Sequence, residues 1–295
     1  MVMKRIGFKM LTLAVVALML AACGHHSQEA DQMMEAAYQS KNYDRLLTLA
    51  DSLETAGSLS QAKACYWRGY AFDRLKQQEK AEQQWRKAMA LTEQSGGDDD
   101  VAVYVKSASR LANLLTIKGD YKGTLQMAVP ATERLSELKC DTTSDYVNLL
   151  IYVGCCQAAL GDSKEASDNT FRLALRKHLE NIKRNHSDAS YKDAIAGLIN
   201  VAYYCVKVER YEEALLYTSN FGDLLAEYEQ HPDVDADYID KQVGRYTIYK
   251  AQALEGIGQK EEAAQTYAAF LETRFSKTPE GLRLAEEYIK FKERL

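Results

Sequence analysis

Between Tyr146 and Leu179 the apolar positions recur with a helical period, stop at a short polar turn, and then resume. Val147, Leu150, Ile151, Gly154 and Ala158 fall at three- and four-residue steps, which stacks them on one helix face. After the turn Leu160-Gly161-Asp162-Ser163-Lys164-Glu165-Ala166, the residues Ala166, Phe171, Ala174 and Leu175 do the same. Gly161 suits the left-handed backbone that closes a helix, and Asp162 or Ser163 can cap the next one. A single hairpin of this kind cannot bury its own apolar stripes. The pattern therefore predicts further copies packed against it.

The copies are present. Comparable turns read Lys41-Asn42-Tyr43-Asp44-Arg45-Leu46, Gln77-Gln78-Glu79-Lys80-Ala81, Gly119-Asp120-Tyr121-Lys122-Gly123-Thr124, Glu209-Arg210-Tyr211-Glu212-Glu213-Ala214 and Gly258-Gln259-Lys260-Glu261-Glu262-Ala263. Polar linkers separate the units at Ser95–Asp100, Cys140–Asp145, Asn185–Asp188 and His231–Asp233. With only 3 prolines and no sustained β-branched alternation, the reading is all-α. Pro130 falls within a predicted helix and is expected to kink it. Thr278-Pro279-Glu280 opens a last helix, whose apolar residues are Leu282, Ala285, Ile289 and Phe291. That helix is either a solvating cap or the first half of another hairpin.

Six turns on one template, four of them ending in alanine, resemble the tetratricopeptide repeat (TPR) with its Gly-Asp-Tyr-x-Glu-Ala hairpin turn. Twelve residues before the last turn position the family places a small residue. Here those positions hold Met34, Gly69, Ala112, Gly154, Ala202 and Ala251, with Trp85 and Ala88 matching the bulky and small positions that follow a turn. Equivalent turn positions at 46, 81, 124, 166, 214 and 263 are 35 to 49 residues apart, against a family period of about 34, so the later units are extended. The resemblance implies a TPR-like α-solenoid of about six antiparallel helix hairpins plus a C-terminal helix, spanning 30–295. It also implies a concave groove lined by the first helix of each hairpin. In that register Tyr66, Tyr70, Arg74, Asn113, Tyr152, Tyr203, Lys207, Arg245 and Gln252 face the groove, while Tyr43, Tyr121 and Tyr211 pack between helices.

The N-terminus is read as targeting rather than fold. Lys4, Arg5 and Lys9 precede the apolar run Met10–Ala22, which is short of the roughly 20 residues a bilayer span needs. It ends in Leu20-Ala21-Ala22-Cys23, which resembles a bacterial lipobox. That resemblance implies a signal peptide at 1–22, diacylglycerol on the Cys23 thiol and a lipidated tether at 23–29. Gly24 after the cysteine implies an outer-membrane lipoprotein facing the periplasm. Five cysteines then remain, an odd number that argues against a disulfide framework. Cys65, Cys155, Cys156 and Cys205 sit at apolar helix positions, and Cys140 lies in a loop.

Little in the sequence suggests chemistry. The formal net charge of -5 comes from intermixed acids and bases without a basic stripe, which argues against nucleic acid as a partner. His25, His26, His178, His186 and His231 are scattered and are expected to be solvated surface rather than metal ligands. Asp98–Asp100 and the alternating Asp233, Asp235 and Asp237 lack the glycine turn and distal glutamate of a calcium loop, and are expected to cap helices. No nucleophile, acid and base can be grouped, so no enzyme activity, cofactor or metal is expected. The expected function is a membrane-tethered scaffold holding a protein or peptide in its groove. Two alternatives stay open. One is the sensory portion of a TPR-type histidine kinase of the Bacteroidetes kind, without its kinase module. The other is capture of a glycan or small molecule, because 19 tyrosines against 7 phenylalanines also suit sugar stacking. The tyrosines could equally replace phenylalanine in thin, half-exposed layers.

Overall fold

The computed structural model of the chain describes residues 28–141, 143–161 and 164–294. The signal peptide expected at 1–22, most of the tether expected at 23–29, and the expected caps Asp162 and Ser163 lie outside those residues. Helix α1 occupies 28–39, so the chain is already helical where the tether was expected to continue. It is followed by α2 (Tyr43–Thr55), α3 (Gln61–Arg74), α4 (Gln78–Thr92), α5 (Asp98–Lys118), α6 (Tyr121–Glu137) and α7 (Ser144–Ala159). Then come α8 (Lys164–Asn185), α9 (Asp188–Lys207), α10 (Tyr211–Tyr217), α11 (Phe221–Tyr228), α12 (Ala236–Gly256), α13 (Lys260–Glu272), a 3-10 turn at Phe275–Lys277, and α14 (Pro279–Lys292). Among the described residues there is no strand. The chain forms two compact units that divide within α5, between Leu114 and Leu115.

Each hairpin turn closes on one residue in left-handed backbone: Lys41, Lys76, Gly119, Gly161, Glu209 and Gly258, with φ between 56° and 81°. Beyond that residue the next N–H reaches back five positions, as in Gln77 N to Phe72 O at 2.8 Å and Arg210 N to Cys205 O at 2.8 Å. This closure satisfies carbonyls the helix end would otherwise leave open. Glycine was read from sequence at three of the six turns. The other three place lysine or glutamate in a conformation that costs a side chain about 1–2 kcal/mol.

Between hairpins the signal is different and clearer. Ser60, Thr143, Ser187, Asp235 and Thr278 each accept a hydrogen bond from the backbone N–H three residues on, and so cap α3, α7, α9, α12 and α14.

Within a hairpin the two helices meet at a small residue. Gly69 of α3 lies under Trp85 of α4, where an added Cβ would come within 2.5 Å of the indole nitrogen. Gly154 of α7 lies under Phe171 of α8, with 2.9 Å to the ring. Trp85 and Phe171 are each 1% exposed.

The second unit has a large core built from α8, α9, α11, α12 and α14. Many of its large side chains are tyrosines, and their hydroxyls tie the layers together. Tyr191 donates to Glu227 at 2.7 Å, Tyr228 to Asp188 at 2.5 Å, Tyr238 to the Lys192 carbonyl at 2.6 Å and Tyr246 to the Thr218 carbonyl at 3.3 Å. Tyr288 donates to Glu255 at 3.2 Å.

Several local expectations change. The second helix of the fifth hairpin is broken into α10 and α11 at residues 218–220. There the Thr218 hydroxyl bonds the Ala214 carbonyl at 2.6 Å, and the Phe221 ring stacks on Tyr246 at 4.0 Å. Asp98–Asp100 are the first turn of α5 rather than linker. Pro130 lies inside α6, where the sequence placed it, and is exposed. In α14 the buried stripe is Leu284, Tyr288 and Phe291, whereas Leu282 and Ile289 are 54% and 50% exposed. The cysteines, by contrast, keep their expected places: the five described ones are free, with Cys140 half-buried and the rest buried.

Three substitutions test the hairpin geometry by urea unfolding. Gly69→Ala should lower stability by about 1–3 kcal/mol, because the Trp85 indole has nowhere to move. Glu209→Gly and Lys76→Gly should each raise it by up to about 1 kcal/mol, by removing a side chain from left-handed backbone.

Candidate functional site

Alternate helices carry the candidate surface in both units. In the first unit α1, α3 and α5 line a pocket of about 450 Å³ with residues at three- and four-residue steps: Asp31 and Glu35 from α1, Lys63, Tyr66 and Trp67 from α3, and Asp99 and Lys106 from α5. Of the expected groove residues, Tyr66 is on this wall, 9% exposed, and its carbonyl accepts a hydrogen bond from Trp85 Nε1 at 3.3 Å. Tyr70 lies deeper, at 3% exposure. Its hydroxyl accepts from Arg74 Nε at 2.9 Å, and the Tyr38 ring meets it edge-on at 4.8 Å. The guanidinium groups of Arg74 and Arg110 lie over its ring at 4.9 and 5.4 Å. Burial is the main reason the Tyr70 phenol is pushed up to about 12. Arg74 is exposed and Asn113 half-buried on α5.

In the second unit α9 packs beside both α7 and α12, so the first helices of three consecutive hairpins adjoin. A run of rings crosses them. Tyr152 meets Tyr204 edge-on at 5.8 Å, Tyr204 meets Tyr203 at 4.9 Å, and Tyr203 meets Tyr249 at 5.4 Å. Tyr152 is 8% exposed and Tyr203 half-buried. Burial raises the phenols of Tyr203, Tyr204 and Tyr249, so all three are neutral donors at physiological pH. Arg245 is half-buried, with Nη1 3.4 Å from Gln242 Oε1 and Nε 3.8 Å from Glu280 Oε1. Lys207 is exposed at the last turn of α9, and Gln252 is buried at 8% exposure.

The sequence reading missed Tyr204 and Tyr249. The signal was there in the Tyr203-Tyr204 doublet and in the 245, 249, 252 spacing that puts Tyr249 beside Arg245 and Gln252 on one face.

The histidines need correction. His178 is not solvated surface: it is 3% exposed, its Nε2 lies against the backbone of Gly197, and that nitrogen has no hydrogen-bond partner among the described residues. The gap beside it, bounded by Leu175, Leu198 and Leu224, is about 10 Å³, at the lower limit for holding a water. Burial alone lowers its pKa to about 4. His231 is tied down as well, with Nε2 3.2 Å from the His186 carbonyl and Nδ1 accepting from Asp233 N at 3.1 Å. Among the described residues no three potential ligands are grouped to hold a metal. Asp235 caps α12 as expected, accepting from Tyr238 N at 2.9 Å, and Asp99 pairs with Lys63 at 3.1 Å.

The chain matches no protein-family model and no curated protein sequence. Solved structures do resemble it. The apo form of RapI aligns over 91% of this chain and 99% of its own, at 13% identity and a TM-score of 0.53. BtubC (BKLC) from P. vanneervenii aligns over 86% and 94%, at 13% identity and a TM-score of 0.49. At such identity the RapI likeness concerns fold alone. Together with the hairpins it makes the chain an all-α, TPR-like helical-repeat protein.

The buried imidazole has a consequence for pH. A group whose folded pKa lies below its unfolded value of about 6.5 takes up its proton more readily in the unfolded chain. Stability from neutral His178 is therefore present above pH 6.5 and is lost as pH falls towards 4, by about 3 kcal/mol in all. His178→Leu should flatten that part of the stability curve relative to wild type, measured by chemical denaturation at several pH values. An unchanged slope would refute a neutral, buried His178.

Proposed function

We propose that this chain is a non-enzymatic scaffold, tethered to the cell envelope through a lipid on Cys23, that holds a protein or peptide partner on the face formed by the first helices of its hairpins. The observation that carries this reading is the composition of that face. In each unit, side-by-side helices offer rigid aromatic rings next to cations: Tyr66 and Trp67 beside Lys63 and Lys106 in one, and Tyr203 and Tyr249 beside Arg245 in the other. Tyrosine and tryptophan supply large contact area with few rotors to freeze, and arginine adds directional donors, which is the make-up of protein-binding hot spots. A face that continues from helix to helix suits an extended or helical peptide better than a small closed ligand. The lipobox resemblance at Leu20–Cys23 supports the tether, and Gly24 supports the outer membrane.

Crosslinking and pull-down from envelope fractions test both parts. Arg74→Glu and Lys207→Glu, each at an exposed position, should weaken partner capture by about five- to ten-fold while leaving helical content unchanged. Capture that survives both charge reversals would remove the groove. Cys23→Ala should shift the protein from the membrane pellet to the soluble fraction. If it stayed in the pellet, the lipid tether would be wrong.

A further inference from the structure

The pocket of the first unit is more selective than a generic peptide groove. Its volume of about 450 Å³ lies in the range that encloses a small ligand or one large side chain. One wall is the Trp67 indole. Neighbouring rings brace that indole at three places: Tyr66 at 5.2 Å, Tyr38 at 6.0 Å and Tyr70 at 6.5 Å between centroids. It is therefore held in position before anything binds. The other tryptophan, Trp85, is 1% exposed and does not line the pocket.

The charges around the indole point one way. Lys63 sits between Asp31 at 2.8 Å and Asp99 at 3.1 Å, so two carboxylates already engage its ammonium and it is poorly placed to receive an anion. Glu35 lies one helical turn from Asp31 on the same face of α1, exposed and accepting a hydrogen bond from Gln39 at 2.6 Å. With Lys106 as the other lining cation, three carboxylates face two ammonium groups around an aromatic wall. An anionic ligand would meet excess negative charge there, and an apolar one would strip water from carboxylates without replacing it. A cation gains from both features, since the ring face and the carboxylate oxygens attract it together.

We propose that this pocket receives a cationic side chain, arginine or lysine, from the bound peptide, stacked against Trp67 and balanced chiefly by Glu35, with Asp31 and Asp99 shared between it and Lys63. The proposal rests on the scaffold reading for its peptide. The pocket itself can be tested without one.

The test is a tryptophan-fluorescence titration of the full-length lipoprotein in detergent with N-acetylargininamide, its neutral isostere N-acetylcitrullinamide, N-acetylglutamide and maltotriose. Arginine should give a saturable change, and citrulline should bind at least about five-fold more weakly. Trp67→Phe should abolish the signal. Glu35→Gln and Asp99→Asn, both at exposed positions, should each weaken the arginine response without altering the circular dichroism spectrum. Equal binding of arginine and citrulline, or tighter binding of glutamate or maltotriose, would overturn the proposal. Failure here can be told apart from failure of the scaffold reading. Arginine binding that is lost in the variants while partner capture is unaffected would uphold the pocket and detach it from the peptide. Partner capture without any arginine response would do the opposite.

Discussion

The structure depends on how closely the two helices of a hairpin can approach. Gly69 under Trp85 and Gly154 under Phe171 show the constraint at its tightest, with a ring lying where a Cβ would otherwise be. Burying a whole aromatic face this way contributes far more than any surface pair. It also sets the distance at which the turn must close. The turn then has one geometry available, a single left-handed residue followed by a backbone hydrogen bond reaching back into the last helical turn. Lysine and glutamate accept that conformation at Lys76 and Glu209 because the packing on either side over-determines it.

Once hairpins form, their neighbours are chosen by which faces stay apolar, and the first helices of successive hairpins come to lie side by side. The core places many ring positions beside carboxylates and backbone carbonyls, which suits tyrosine better than phenylalanine. A phenol can bury its ring and still satisfy its hydroxyl at the edge of a thin core, as Tyr191, Tyr228, Tyr238, Tyr246 and Tyr288 do with carboxylates and backbone carbonyls. These tyrosines are structural. Tyr203 belongs to the same population and is half-buried where the first helices meet, while Tyr66 is buried on the wall of the first unit's pocket.

His178 illustrates how a polar residue can be used as a space-filler. Gly197 removes the side chain that would oppose it, four leucines line the gap beside it, and the ring stays neutral in a space at the limit of holding a water. Neighbouring polar groups are treated differently. Asp188, Lys192 and Asp235 form paired charges at 3.1 and 3.4 Å, linking α9 to the start of α12. These three charges sit at the edge of the stack, where water shares the desolvation cost, whereas Glu213 and Glu255 are buried.

The sequence by itself determined the helices, the hairpin turns and the points where small residues let helices touch, because these follow from local periodicity, turn chemistry and side-chain size. It also placed Tyr66, Tyr152 and Tyr203 on first helices by spacing alone. Only the tertiary structure decided which of those residues remain accessible. Tyr70 at 3%, Tyr152 and Gln252 at 8% and Tyr66 at 9% exposure are covered once the layers assemble, the polar run at 218–220 breaks a helix that periodicity would continue, and α14 turns Leu284 rather than Leu282 to the core. The pocket of the first unit likewise depends on three helices separated by loops, so Asp31, Lys63 and Asp99 give no local sign that they will meet. Burial is a property of the assembled layers, and a helical repeat along the chain records the face of a helix but not what will cover it.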